Sequence, residues 1–317
     1  MLITTPETLQ AILPGKRMAK HLSCVRWVVV DEIHELATDK RGAQLSIGLE
    51  RLRKLMSRDF QRVGLSATIG SPEVIAGFLG GLGRDCRVLK TVEAKDLEVW
   101  VESPTPGAED RRVAREVMLS PGGVKRILRL FELIDDYKSS LVFTNTRDHA
   151  EALSSRMIAL KPGVMVGVHH GSLSRDVRVE AEKNLKEGRL KAVVCTSSLE
   201  LGIDVGNIEF VVQHLSPRQV TKLVQRVGRS GHVVGGKSKG CVIAAWPDDI
   251  LESAVISKFA LDGFLESPRI HENALDVLAH QVAGLVLDLG GIRLKEVYDV
   301  VTRSCLYREL GLDELTS

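Results

Sequence analysis

The pattern that organises this chain is an apolar run that stops on charge. In residues 25–34, five of the first six positions are apolar and four of those are Val; Asp31, Glu32, Ile33 and His34 follow. A Val-rich apolar run of this kind predicts a strand buried on both faces, as in a parallel sheet. Helical spacing follows at Leu45, Leu49, Leu52 and Met56, predicting a helix over 41–56. Residues 62–68 predict a short strand ending in Ser66, Ala67 and Thr68, and Ser71 with Pro72 marks another helix start. Residues 1–4 read as the end of a buried strand, with Thr5 capping a helix whose first turn holds Pro6. A chain that opens in mid-strand is expected to have lost a segment upstream. Residues 97–102 read as a strand, and Pro104, Pro106 and Gly107 then mark a break in the pattern.

A second alternating series begins after Pro121, Gly122 and Gly123. Apolar runs at 140–144, 164–169, 191–196, 209–215 and 240–246 predict strands, separated in several places by helical periodicity, as in 147–160 and the segment opening at Ser174. Strands alternating with helices predict α/β units with parallel, doubly wound sheets. From about 268 the periodicity is helical only, over 274–287 and 294–303. The resulting organisation is a first α/β domain over 1–103, a linker over 104–121, a second α/β domain over 122–266, and the beginning of a helical domain over 267–317.

Composition narrows the field. The chain has 317 residues, 44% hydrophobic and 26% charged, which supports sizeable cores and excludes global disorder. A net charge of +2 gives no overall basic field, so a nucleic-acid partner has to be argued from local residues. The five cysteines are scattered with no C-x-x-C pair, which speaks against a zinc site or a disulfide framework and predicts a reducing, cytoplasmic setting. No apolar run reaches membrane-spanning length.

Ligands of open α/β sheets bind beyond the carboxyl ends of the strands. Asp31 and Glu32 fall there: one carboxylate can hold Mg²⁺ against phosphate oxygens and the next can polarise an attacking water. Four segments extend this reading: Asp31–Glu32–Ile33–His34, Ser66–Ala67–Thr68, the stretch TSSLELGID at 196–204, and QRVGRSG at 225–231. In this order they resemble the motifs of superfamily 2 helicases. The wider stretches DEIHELATDKRGAQLSIGLERL, TSSLELGIDVG, QRVGRSGH and NALDVLAHQVAG resemble the Lhr (large helicase-related) family, over essentially the whole chain.

The resemblance implies two RecA-like domains, the first incomplete, binding ATP between them, followed by the start of a winged helix. It implies Mg²⁺ on Asp31, Glu32 as the residue that positions or deprotonates water, and His34 as the link from the γ-phosphate to the other domain. Ser66, Ala67 and Thr68 would couple the two sites. Gly202 and Asp204 would approach the nucleotide, Arg229 would be an arginine finger, and Gln225 and Arg226 would complete that wall. Many superfamily 2 members end this motif in Arg where the chain has His232, which marks the subfamily. For the strand, Thr5, Pro6, Thr144, Asn145, Arg147, His170, Gly171, Thr196 and Ser198 are the candidates, since hydroxyls, amides and turn N–H groups suit phosphate contacts. The implied partner is single-stranded or forked DNA, with 3′-to-5′ movement and a setting in DNA repair; an RNA–DNA hybrid, an RNA-directed helicase and a non-catalytic remnant are the alternatives.

A literal P-loop pattern occurs at 231–238, ending in Gly236, Lys237 and Ser238. A P-loop needs a strand before it and a helix after it. Here a helical motif precedes and a strand follows, so the pattern reads as a connecting loop. No other P-loop is present. The family carries it upstream of the Thr5–Pro6 segment, so the chain is expected to be a fragment that hydrolyses ATP slowly by itself.

Overall fold

The computed structural model describes residues 1–56, 59–90, 96–200, 205–231 and 236–316. Its order is α1 (Pro6–Ile12), α2 (Lys16–Leu22), β1 (Trp27–Val30), α3 (Ile33–Ala37), α4 (Lys40–Leu55), β2 (Gln61–Gly64), α5 (Pro72–Gly80), β3 (Leu97–Glu102), α6 (Ala108–Glu116), α7 (Pro121–Asp135), β4 (Ser140–Phe143) and α8 (Arg147–Leu160). Then come β5 (Val166–His169), α9 (Arg175–Lys186), β6 (Ala192–Cys195), β7 (Phe210–His214), α10 (Val220–Val227), β8 (Ser238–Ile243), α11 (Pro247–Leu261), α12 (Leu275–Leu289), α13 (Leu294–Val301) and α14 (Leu312–Thr316). Two compact units result: Met1–Lys90 with Ser267–Ser317, and Thr91–Glu266.

The second unit is a six-stranded parallel sheet in the order β3-β8-β7-β4-β6-β5. Strands β4 and β6 send apolar side chains to both faces, Ser140 excepted. Leu141 and Phe143 of β4 join one core with Val193, Val211, Leu223 and Ile256, under α10 and α11. Val142 between them points into the other core with Val194, Val212, Ile127, Leu130 and Met157, under α7 and α8. Helices on both faces make this a doubly wound sheet, and the parallel register lines the carboxyl ends of its strands along one edge.

The first unit is built around α4, whose buried residues run from Gly42 to Leu52. A bidentate pair holds Asp288 of α12 against it: Arg51 Nε and Nη2 donate to the carboxylate at 2.9 Å each, and both side chains are buried. Arg51 Nη1 also reaches Gln10 of α1 and Gln281 of α12. A Cβ at Gly284 would lie about 2.5 Å from Arg51 Nη1, so only glycine leaves room for this guanidinium.

Three expectations change here. The run 25–34 forms β1, yet Trp27 and Val29 are 62% and 59% exposed. Among the described residues β1 pairs only with β2, and its inward side chains Val28 and Val30 alone meet the core. Strand β3 was placed before the break; it pairs with β8 over its full length and belongs to the second unit, and the expected linker contains α6. Residues from 267 were expected to open a separate domain. They pack into the first unit, where Leu278, Leu285, Val300 and Tyr307 share its core.

Candidate functional site

In the first unit, parallel pairing brings the ends of β1 and β2 together. Leu65 N donates to Val30 O at 2.8 Å, and Ile33 N donates to Leu65 O at 2.9 Å. The carboxylates therefore turn beside the Ser66–Thr68 loop. Asp31 is exposed, and its Oδ1 accepts from Glu32 N at 3.0 Å. Glu32 sits in the left-handed region at φ 46, ψ 43, which costs a non-glycine residue about 1–3 kcal/mol and marks a constrained turn. Its Oε2 lies 3.7 Å from His34 Nδ1. His34 is only 5% exposed, and the same nitrogen is 3.2 Å from Ser66 Oγ. Ser66 donates onward to Ala67 O at 2.9 Å, leaving its oxygen to accept from the imidazole. Glu32, His34 and Ser66 thus lie in one line across the two strand ends, hydrogen-bonded at Ser66 and in longer contact at Glu32, and Thr68 is exposed beside them. Asp31 and Glu32 offer hard oxygen donors. No cluster of three or more His, Cys, Asp or Glu suited to a metal exists among the described residues. Two carboxylates without a protein cage fit Mg²⁺, which keeps waters and takes the rest of its ligands from phosphates.

In the second unit, α10 and the turn after it present the QRVGRSG segment. Arg229 Nε donates to Glu200 O at 2.8 Å, and Gln225 is half-buried on α10. Both glycines of this turn are enforced by backbone: a Cβ at Gly228 would meet Val224 O at 2.8 Å, and Gly231 has φ +69 with Lys237 O 2.3 Å from its would-be Cβ. Ser230 donates to Val227 O and accepts from Lys239 N, each at 2.7 Å, fixing the turn to β8. Strand β8 begins at Ser238, so a strand and not a helix follows the P-loop-like pattern. Lys237 is exposed, 3.9 Å from Asp96.

Arg226 departs from its expected place in a nucleotide wall. It is 2% exposed, and its guanidinium donates to Glu200, to Gln213 Oε1 at 2.7 Å and to Asn145 Oδ1 at 3.1 Å, over the ring of Phe143. Every face of it is taken, so it brackets the loops after β4 and β6 and is not available to a ligand. Gly202, Asp204 and His232 lie outside the described residues.

The proposed strand contacts divide. Thr5 caps α1, accepting from Thr8 N at 3.3 Å, with Pro6 half-buried in the first turn. In the second unit, Asn145, Arg147, Gly171, Thr196 and Ser198 follow β4, β5 and β6 at the carboxyl edge. Arg147 reaches Ser172 at 3.3 Å, and a Cβ at Gly171 would meet nothing within 4 Å. Thr144 is corrected: at 1% exposure its hydroxyl donates to Thr146 O, because it sits one residue inside the sheet edge. His170 is corrected too: it is buried, its Nε2 lies 2.7 Å from Glu151 and its Nδ1 accepts from Ser172 N. Sequence reasoning missed Glu200 and the bridge Glu182–His169–Ser198, with His169 2.9 and 2.8 Å from its partners. The one acid in the stretch TSSLELG was the available signal for Glu200.

Against known proteins, a DEAD/DEAH box helicase model matches residues 1–75, and a helicase conserved C-terminal domain model matches 124–233. The chain is 40% identical over 325 residues to the ATP-dependent helicase Lhr-Core of Methanothermobacter thermautotrophicus, covering 100% of this chain and 37% of that protein. It is 35% identical over 357 residues to the Lhr helicase/uracil glycosylase of Escherichia coli, covering 98% and 22%. The chain therefore spans little more than a third of the archaeal relative. The solved structure of Mycobacterium smegmatis helicase Lhr bound to ssDNA and AMP-PNP matches with a TM-score of 0.86 at 36% identity, over 99% of this chain and 40% of that one. A DUF1998 helicase MrfA bound to DNA, at 0.71 and 21% identity, shares the fold.

Proposed function

The chain belongs to the Lhr family of helicases, and on that premise we propose that it forms part of an ATP-dependent DNA helicase, coupling ATP hydrolysis to 3′-to-5′ movement on single-stranded or forked DNA. The observation that carries the reading is the Glu32–His34–Ser66 chain. A general base must be held in one geometry, and a constrained backbone beside a buried imidazole suits Glu32 to that role. Mg²⁺, when bound, neutralises charge on the phosphates, and Asp31 is the residue to hold it. Glu32 orients and takes a proton from the attacking water. His34 passes the state of that site to Ser66, and hence to the loop through Thr68. Arg229 stabilises charge developing on the transferred phosphoryl group. Arg226 keeps the loop bearing Arg229's neighbour Glu200 rigid. Thr5, Pro6, Asn145, Arg147, Gly171, Thr196 and Ser198 track the strand backbone without reading its sequence. The DNA preference is supported by the single-stranded DNA in the M. smegmatis relative.

The test is ATP hydrolysis with and without single-stranded DNA. Glu32→Gln is expected to lower stimulated turnover by about 10²-fold or more while leaving DNA binding intact. The ratio between the two proteins is the readout, however slow the basal rate. Equal turnover would remove Glu32 from the chemistry and the proposal with it.

A further inference from the structure

One cavity in the second unit is used by nothing above. It holds about 350 Å³ at the carboxyl ends of β7 and β8, and Ser120, Arg126, His149, Arg156, His214 and Trp246 line it. The first turn of α7 lies on its wall, with Ser120 Oγ accepting from Gly123 N at 3.1 Å. That turn places the positive end of a 15-residue helix beside the arginines and histidines. Neither arginine forms an ion pair among the described residues. The carboxylate that acts on Arg126 is Asp249, and its two oxygens already accept from Ser216 N and Ala245 N at 2.9 and 2.8 Å. Arg126 Nε and His214 Nδ1 are shielded from solvent and have no hydrogen-bond partner. An unmet guanidinium N–H, with two arginines beside a cavity, describes a site shaped for an acceptor-rich anion. Burial, with Arg126, His149 and Arg156 facing it, pushes the His214 pKa down to about 3. Arg126 and Arg156 thus set positive charge beside the cavity, with Asp249 the carboxylate that acts on Arg126.

Its position identifies the anion. Leu215 lines the cavity, and the next residue, Ser216, accepts from Asn145 Nδ2 at 2.8 Å. His149 lies two residues after Arg147 on α8. The cavity therefore continues the strand-contact edge past β4. Trp246, 48% exposed, offers an aromatic face at its mouth. We propose that this cavity receives a backbone phosphate of the bound nucleic-acid strand, with an adjoining base stacked on Trp246. The inference rests on the strand-binding reading above and adds one contact to it.

Anisotropy of a labelled single-stranded oligonucleotide, titrated with the full chain at several salt concentrations, tests it. Arg126→Gln with Arg156→Gln should raise Kd about tenfold and reduce the slope of log K against log salt by about 0.7, the contribution of one single-strand phosphate. Trp246→Ala should weaken an intact strand about fivefold or more and an abasic strand little, since stacking needs the base. Circular dichroism of each variant and the single exposed Arg156→Gln control for folding. A double variant with unchanged affinity and slope overturns the inference alone. So does a free mononucleotide that quenches Trp246 and is lost in the double variant while strand affinity holds, because the anion would then be a free nucleotide. An unaltered chain that binds no strand overturns both this inference and the strand-binding reading.

Discussion

Strands β4 and β1 are written in the same code and meet different fates. Each is a short apolar run ending at a polar turn that bears candidate functional residues. In β4 every residue is buried, because β6 and β7 flank it and helices cover both faces. In β1, Trp27 and Val29 stand in solvent beside one partner strand. The apolar run specifies extended backbone in both. Neighbours, not the run, decide what that backbone buries, and so how rigidly the turn after it is held. The two turns compensate differently: the loop after β4 is fixed by Arg226 through Asn145, and the turn after β1 by the Glu32–His34–Ser66 chain.

The sharpest way to break the comparison is to remove what each strand buries. Phe143→Ala, at a fully buried position, should cost about 3–5 kcal/mol in urea unfolding, whereas Val29→Thr should stay within about 0.5 kcal/mol. Similar costs for both would mean that Val29 is covered in solution. Next in size are the buried guanidiniums. Arg226→Met removes the buried ion pair with Glu200, and Arg51→Met removes the one with Asp288; each should cost about 3 kcal/mol. Arg51→Met with Asp288→Leu should recover most of that loss, and a double variant no better than the single would show that Gln10 and Gln281 matter more than charge. Gly284→Ala should cost about 1–3 kcal/mol by driving a methyl into Arg51, read as a fall in thermal midpoint.

A further effect is one of pH. His214 has its folded pKa depressed from 6.5 to about 3, so it is neutral at pH 7 in both states. As pH falls below 6.5 the unfolded chain takes up a proton that the folded one refuses, so stability is lost progressively toward pH 3. His214→Gln should therefore lose less thermal stability than the unaltered chain between pH 6.5 and 4. Parallel losses in the two proteins would place His214 in water.

Much of this was legible in residue order. The strands of the second unit, the helices between them and the DEIH turn follow from period and from where apolar runs meet charge, since alternation reports a residue's own face directly. The misses share a cause. Thr144, His170 and Arg226 were assigned to ligands because of their chemistry, yet each is satisfied by protein groups distant in the sequence, such as Cys195 O, Glu151 and Glu200. The packing of residues 267–316 was hidden for the same reason: amphipathic periodicity shows that α12 has an apolar face but not that α4 is what it covers.

The pairing of Arg51 with Asp288 joins positions 237 residues apart, and the whole second unit lies between them in the chain. Synthesis therefore delivers the two halves of the first unit at different times. The second unit, continuous in sequence, can complete its core while α12 and α13 are still to be made. Until then α4 has only neighbours such as α1 and α3 against its apolar side, and the part that α12 and α13 cover stays open. By the time Asp288 emerges, the intervening segment is already compact, and a folded insert shortens the span that must close. The order in which the ribosome releases this chain thus favours folding from the middle outward.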